Sequence, residues 1–509
     1  MHRRSRFVDA SQGSTGPKAG YTRKRPSGVN VVNSDSSQQQ SLYAAREPVF
    51  PRRVKGNFRT LKWWIMAVTL GIYYITPWIR WDRGPNMPDQ AVLVDLANRR
   101  FFFFMIEIWP HEFYFVAGLL IMAGLGLFLF TSAAGRVWCG YACPQTVWTD
   151  LFILVERWIE GDRNARLRLH RQKWNGEKIR KRAVKWTVWL LIALATGGAW
   201  VFYFTDAPTL LRDLLGFSAH PVAYTTIAIL TGTTFWFGGF AREQICIYAC
   251  PWPRIQAAMM DEDTITIGYR EWRGEPRGKL KKGQAAPEGT QGDCIDCMAC
   301  VNVCPMGIDI RDGQQLACIT CGLCIDACND VMDRIGKPRG LIDYLALTDE
   351  QREREGKPPK PVWQHVFRPR TILYTVLWAG IGIGLVVALF LRSDIDVNVT
   401  PVRNPIFVTL SDGSIRNTYD LRLRNKYHEE RTFHFSLRSD ALLRISLEGT
   451  DALTVTVPAD TTHHQRVYVV APAGTPAASA ARTELEFWIE DLASSDRISV
   501  ATIFNGREN

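Results

Sequence analysis

Apolar residues fall in runs of membrane length through the first part of the chain, then switch to strict alternation. The runs lie at about 61–81, 112–131, 186–204, 221–240 and 371–391. Each approaches the roughly 20 residues that cross a bilayer as a helix. Trp63, Trp64, Trp78, Trp186, Trp189 and Trp200 stand near run ends, where amphipathic rings favour the membrane–water boundary. From Asp394 the period becomes two: Val397 and Val399; Tyr419, Leu421 and Leu423; Phe433, Phe435 and Leu437; Leu453, Val455 and Val457; Val467 and Val469; Leu485, Phe487 and Ile489. Turn signals at Asp412-Gly413 and Pro472-Ala473-Gly474 divide these strands. The pattern predicts an α-helical transmembrane bundle of five spans, then a C-terminal all-β domain of immunoglobulin-like type.

Cysteine placement adds chemistry to that frame. Eight of the 12 cysteines form two runs, Cys294-x-x-Cys297-x-x-Cys300-x-x-x-Cys304-Pro305 and Cys318-x-x-Cys321-x-x-Cys324-x-x-x-Cys328. Each run has the bacterial ferredoxin spacing for a [4Fe–4S] cluster, in which the fourth cysteine serves the other cluster. Cys294, Cys297, Cys300 and Cys328 are therefore expected to hold one cluster, and Cys318, Cys321, Cys324 and Cys304 the other. Asn329 follows the second run where a proline follows the first; that proline shapes only the turn. Structural zinc prefers paired Cys-x-x-Cys or Cys/His sets, and the cysteine-free outer segment 392–509 leaves no role for disulfides there. The ferredoxin-like insert implies a carrier of electrons.

The remaining four cysteines form an internal repeat. Cys139-Gly-Tyr-Ala-Cys143-Pro144 follows the second apolar run, and Cys246-Ile-Tyr-Ala-Cys250-Pro251 follows the fourth. Arg136 and Arg242 precede them. A spacing of four puts two thiols on one helical face, and each proline starts a new helix. A pseudo-two-fold arrangement would gather all four thiols at one membrane face. Soft thiolates select Cu(I), zinc or iron–sulfur clusters, so Cys139, Cys143, Cys246 and Cys250 are the candidate catalytic and copper-binding set; four small buried residues are the plainer alternative. The segments Thr146–Arg163 and Ile255–Asp263 are amphipathic and are expected to lie along the inner surface. His111 and His220 open the second and fourth runs, and His463-His464 are assigned to a loop of the outer domain; interfacial or solvated roles suit them better than metal binding. No histidine lies deep in a span, which argues against a bis-histidine haem. Gly380 and Gly384 form a G-x-x-x-G compatible with helix pairing or a homodimer. Asp261, Glu262 and Asp263 read as a solvated turn.

Net charge is +11, and its distribution orients the bundle. Arg46, Arg52, Arg53, Lys55, Arg59 and Lys62 precede the first run, and ten Lys or Arg from Arg163 to Lys185 lie between the second and third. The loops 82–110 and 205–219 carry far fewer. The positive-inside rule then places the N-terminus and the ferredoxin segment in the cytoplasm and 392–509 outside, in the periplasm of a multi-pass inner-membrane protein. Because the basic residues adjoin apolar spans, membrane orientation accounts for them and no nucleic-acid partner is expected. Residues 1–45, rich in Ser, Gln and charge, read as a disordered tail. With the first apolar run so late, no cleavable signal is expected. The expected division is 1–45 tail, 46–270 helices with both repeat motifs, 271–345 ferredoxin-like domain, 346–391 linker and last span, and 392–509 outer domain.

This layout resembles the FixG/CcoG/RdxB cytochrome oxidase accessory proteins over about residues 42–505. Smaller matches are Pro51-Arg52-x-Val54-x-Gly56-x-Phe58-Arg59, Asn98-Arg99-Arg100, Ile108-Trp109-Pro110 and Arg136-Val137-Trp138-Cys139-Gly140. The resemblance implies two [4Fe–4S] clusters on the eight ferredoxin cysteines and Cu(II) reduction at the repeat-motif cysteines. The Cu(I) product would serve assembly of a cbb-type oxidase, with assembly factors and copper donors or acceptors as partners. A quinol dehydrogenase like the NapH-type membrane ferredoxins is one rival; a non-enzymatic copper or assembly chaperone with sensor clusters is another. The electron donor is not legible.

Overall fold

In the computed structural model, residues 48–507 are described except 85–86, 280–290, 393–394, 428 and 460, and the side chain of His111 is not described. The expected tail 1–45 lies outside the described residues.

The helical part begins with α1 (Asn57–Ile75), α2 (Tyr114–Ala134), α3 (Val137–Tyr141) and α4 (Pro144–Glu160). It continues through α5 (Arg163–Arg171), α6 (Gly176–Val201), α7 (Ala207–Leu215), α8 (Pro221–Trp236) and α9 (Trp252–Met259). A last long helix spans Pro369–Phe390. Helix α6 packs along α8, and Pro369–Phe390 packs along α2. Among the described residues three helices are long and apolar enough to cross a membrane: α2 with 21 residues, α6 with 26 and Pro369–Phe390 with 22. The other two expected spans fall short of that measure. Helix α1 carries Arg59 and Lys62 in its first turns, so its apolar stretch is short. Helix α8 has 16 residues and gives way to a π-helical turn at Phe237–Ala241. Exposed Trp64, Ile72, Leu120, Ile229, Val376 and Ile383 leave an apolar exterior compatible with a lipid environment.

Three short strands, β1 (Val92–Asp95), β2 (Arg100–Phe103) and β3 (Ile106–Ile108), form a small antiparallel sheet between α1 and α2 in sequence. The cysteine-rich segment is framed by the antiparallel pair β4 (Thr266–Tyr269) and β5 (Ile342–Leu345). Between them stand the short helix Ala299–Val303 and the helix Leu323–Ile335.

The C-terminal domain is a two-sheet sandwich. One sheet runs β10 (Arg444–Leu447), β12 (Thr462–Ala471), β8 (Ile415–Asn425), β6 (Ile395–Pro401), with β7 (Val408–Thr409) also on β8. The other runs β11 (Thr454–Val457), β9 (Arg431–Arg438), β13 (Thr483–Asp491), β14 (Arg497–Phe504). Alternation dictates the core: Tyr419, Leu421, Leu423, Phe433, Phe435, Val467, Val469, Phe487 and Ile489 share one buried cluster. Buried Tyr419 still satisfies its hydroxyl, which donates to the Ile503 carbonyl at 2.8 Å. His463 and His464 lie on strand β12, not in a loop; neighbours on a strand point to opposite faces, so they do not act as a pair. Just before α2, Lys426 Nζ meets Glu112 Oε1 at 3.1 Å with both side chains buried, tying the sandwich to the helical part. The Asp261–Asp263 segment is a partly exposed turn, and Asp261 also takes Arg368 at 2.5 Å and Arg370 at 3.3 Å at the start of the last long helix. An added Cβ on Gly380 or Gly384 would meet nothing within 4 Å, whereas Gly382 faces Met122 of α2.

Candidate iron–sulfur and thiol sites

The ferredoxin runs fold as two equivalent loops. In the first, Asp296 and Met298 take φ of 52° and 59° on either side of Cys297; in the second, Thr320 and Gly322 take 55° and 73° on either side of Cys321. Left-handed backbone at side-chain-bearing residues costs about 1–3 kcal/mol each and is retained where surrounding structure requires it. Here it winds three cysteines tightly around one point. Cys294, Cys297, Cys300 and Cys328 line one cavity. Cys304, Cys318, Cys321 and Cys324 line a second, and Cys300 stands at the wall between them. Each cavity is otherwise faced largely by apolar side chains such as Met332 and Leu341, or Ile308 and Leu323. Burial pushes the thiols of Cys300, Cys304 and Cys328 up to about 12 and that of Cys318 up to about 11. A bare thiolate is unfavourable in such a setting, and a coordinated cation offsets that by deprotonating the thiol outright. Four convergent thiols in an apolar shell fit a cubane cluster in each cavity.

The repeat motifs sit against the second cavity. Cys139 and Cys246 pack onto the buried cluster that contains Cys321, Ile319 and Leu323, as Cys304 and Cys324 also do. All four motif thiols lie within electrostatic reach of one another: burial first, then Cys143, Cys139 and Cys250, push Cys246 up to about 12. The Cys139 thiol donates to Gln256 Oε1 at 3.1 Å, and the Cys139 carbonyl accepts from Thr146 Oγ1 at 2.6 Å. Among the described residues no three His, Cys, Asp or Glu side chains already converge tightly enough for a single metal ion. The expected shared helical face does not form. Cys143 is extended at the N-cap of α4, with Pro144 at its first position, and Cys246 lies in a π-helical turn, Ile245–Ala249, that ends at extended Cys250. Proline disfavours the α conformation in the residue before it, and each motif breaks at its second cysteine. His220 caps α8, its Nδ1 accepting from the Val222 amide at 3.3 Å.

Four residues of this region escaped the sequence reading. Gly140 approaches the second ferredoxin loop so closely that an added Cβ would lie 2.5 Å from the Ile319 carbonyl oxygen and 3.1 Å from Cys321 Cα. Tyr141 donates to the Cys321 carbonyl at 3.0 Å. Asp326 accepts from the Phe58 and Arg59 amides at 3.3 and 2.8 Å. Gln256 is fully buried beside Cys139. One signal was available: the two motifs are identical from cysteine to proline except for Gly140 against Ile247.

Comparison with known proteins agrees with this architecture. A family described as a 4Fe-4S dicluster domain matches residues 241–347, one described as a 4Fe-4S binding domain matches 115–164, and the IG-like fold at the C-terminal of FixG matches 385–507. The chain is 76% identical to Protein RdxB of Cereibacter sphaeroides, over 94% of this chain and 100% of that protein. It is 67% identical to Protein RdxA of the same organism, over 91% and 98%. It is 52% identical to the nitrogen fixation protein FixG of Rhizobium meliloti, over 85% and 88%. The crystal structure of a FixG-related protein from Vibrio parahaemolyticus aligns with 23% of this chain and 98% of its own at 20% identity, with a TM-score of 0.20, too slight a likeness to carry weight. With its ferredoxin-type cysteines and C-terminal sandwich in place, the chain belongs to the FixG/RdxB family and is an iron–sulfur electron-transfer protein.

Proposed function

We propose that this protein is a cupric reductase of the bacterial inner membrane, producing Cu(I) for assembly of a cbb-type cytochrome c oxidase. In this reading α1 and α8 join the three long apolar helices as spans, the cysteine sites face the cytoplasm and the sandwich faces the periplasm. Bound [4Fe–4S] clusters supply one-electron donors whose potential the protein tunes. The observation that carries the reading is that Cys139 and Cys246 pack against the same buried cluster, containing Cys321, that Cys304 and Cys324 also pack against: a four-thiol group adjoins a cluster site. Cu(II) takes one electron, and the soft thiols of Cys139, Cys143, Cys246 and Cys250 favour the Cu(I) that results. The Cys139 thiol, which donates to Gln256 Oε1, gives up its proton to solvent as copper is captured. Oxidase assembly factors and copper donors or acceptors are the partners this role requires.

One of two rival readings rests on a specific observation. Electrons could come from quinol, since nothing in the thiol arrangement demands copper. The iron–sulfur match over 115–164 includes Cys139 and Cys143, so the motif thiols could hold iron. Anaerobic stopped-flow separates the first: protein reduced with dithionite is mixed with Cu(II) or with a quinone, and cupric reductase activity requires fast bleaching reversal with Cu(II) alone. Iron analysis separates the second, with roughly eight atoms per chain for two cubanes; a clear excess would assign iron to the motif thiols.

A further inference from the structure

The two ferredoxin-type loops share a backbone path but not their surroundings. The loop around Cys321 is covered from the helical side. Gly140 stands against Ile319 and Cys321 at distances that admit no side chain, Tyr141 holds the Cys321 carbonyl at 3.0 Å, and Cys139 and Cys246 complete the packing. Cys321 is buried. The equivalent residue of the other loop, Cys297, is exposed, and its neighbour Met298 is 39% exposed.

The repeat motifs show the same inequality. Tyr141 of the first motif is 5% exposed, whereas its counterpart Tyr248 is 59% exposed. Gly140 gives the first motif its close approach; Ile247 in the second packs by its side chain instead. The first motif docks its backbone flush on a cysteine loop.

We propose that the two cysteine sites hold fixed, different stations: the Cys297 site accepts electrons from the aqueous side, and the Cys321 site delivers them to the four-thiol group. Gly140 and Tyr141 are positioning residues for that delivery. Electron transfer weakens steeply with separation, so a water-borne reductant engages the exposed Cys297 corner, and the thiol group engages the site it touches. The balance closes with one electron lost by the aqueous reductant for each Cu(II) converted to Cu(I). Only the final acceptor rests on the cupric reading; the order of the two sites does not.

The test uses the full-length protein, reduced and anaerobic, followed by electron paramagnetic resonance. A water-soluble paramagnetic chromium(III) complex should relax one cluster signal selectively, the one lost in Cys297→Ser. Tyr141→Phe and Gly140→Ala should shift the other signal, the one lost in Cys321→Ser, with iron content unchanged. Both should slow Cu(II)-driven reoxidation severalfold while reduction by dithionite keeps its rate; Tyr141→Phe serves alone if Gly140→Ala does not fold. Met298→Glu should slow reduction by anionic dithionite severalfold at low salt, an effect that added salt removes. Equal relaxation of both signals by chromium, selective relaxation of the Cys321-site signal, or a Tyr141→Phe shift in the Cys297-site signal would overturn the order. Failure of Cu(II) to reoxidise the unaltered protein would remove the cupric reading alone, because the chromium and Tyr141→Phe spectra still decide the order.

Discussion

The hydroxyl of Tyr141 donates to the carbonyl oxygen of Cys321 at 3.0 Å, across 180 residues of sequence. This bond fastens a repeat motif of the helical part to the middle cysteine of a ferredoxin run. Other elements hold the same loop. Tyr344 donates to the Thr320 carbonyl at 2.8 Å, and its ring lies 5.3 Å from that of Phe58 at the start of α1. The loop is thus fixed by α1, α3 and β5 together, and the cysteine-rich insert is built against the helix ends. That placement brings a thiol group and a cluster site into one packed unit.

Asp326 makes the most specific of these attachments. Its carboxylate accepts from the first amides of α1 at Phe58 and Arg59, where unpaired N–H groups and the helix dipole favour an anion. Asp326→Ala should cost about 1–3 kcal/mol, the penalty for buried donors left without an acceptor. Thermal unfolding should occur at lower temperature, with earlier loss of iron. An unchanged unfolding temperature would show that α1 and the insert are joined by apolar packing alone.

Glu156 anchors a second buried group. Burial alone would raise its pKa, but Arg242, Arg166 and Lys185 together hold it at about 2. Because the folded value is depressed, its contribution to stability is complete above the ordinary carboxylate range near 4.5 and is lost as pH falls towards 2. Glu156→Gln should destabilise by about 3–5 kcal/mol by leaving buried cations without their counter-charge. It should also flatten the fall in unfolding temperature below pH 5 or so. Unfolding curves for both proteins across that range check the sign; an equally steep acid fall in the variant would assign it to other carboxylates.

Orientation in the membrane is testable without any cofactor. A reporter fused after Asn509 should be active only in the periplasm, and one fused near Lys282 only in the cytoplasm, following the asymmetry of basic loops. The reverse pattern would put the cysteine sites outside.

Much of this was legible in the chain, for identifiable reasons. Period-two alternation set the sandwich core, because one face of each strand is buried: Tyr419, Phe433, Phe487 and Val467 are all inaccessible to solvent. The cysteine spacings gathered the two groups of four that line the cavities, because three ligands come from one tight loop. Hydropathy was less reliable for helices. It could not foresee that α8 opens into a π-helical turn at Gly238-Gly239, where Phe152 and Trp189 press in. Nor could periodicity show that the motifs are used unequally, since Tyr141 and Tyr248 occupy the same motif position, yet one ends the α-helix α3 and the other lies in an exposed π-helical turn. Buried Gln256 carries no pattern of its own; it becomes meaningful only once α9 lies beside Cys139.

The central claim is that the four motif thiols receive copper reduced by the adjoining iron–sulfur sites. The most direct measurement is anaerobic stopped-flow on a variant with Cys139→Ser and Cys246→Ser, compared with the unaltered protein. Both are reduced with dithionite, freed of excess reductant and mixed with Cu(II), while a Cu(I)-specific chelator reports the product. The account predicts the same iron content and the same extent of reduction in the two proteins, with reoxidation and Cu(I) formation strongly slowed in the variant, because the soft ligands that favour the product are gone. Equal rates in the two proteins would contradict it and leave the motif cysteines a structural role.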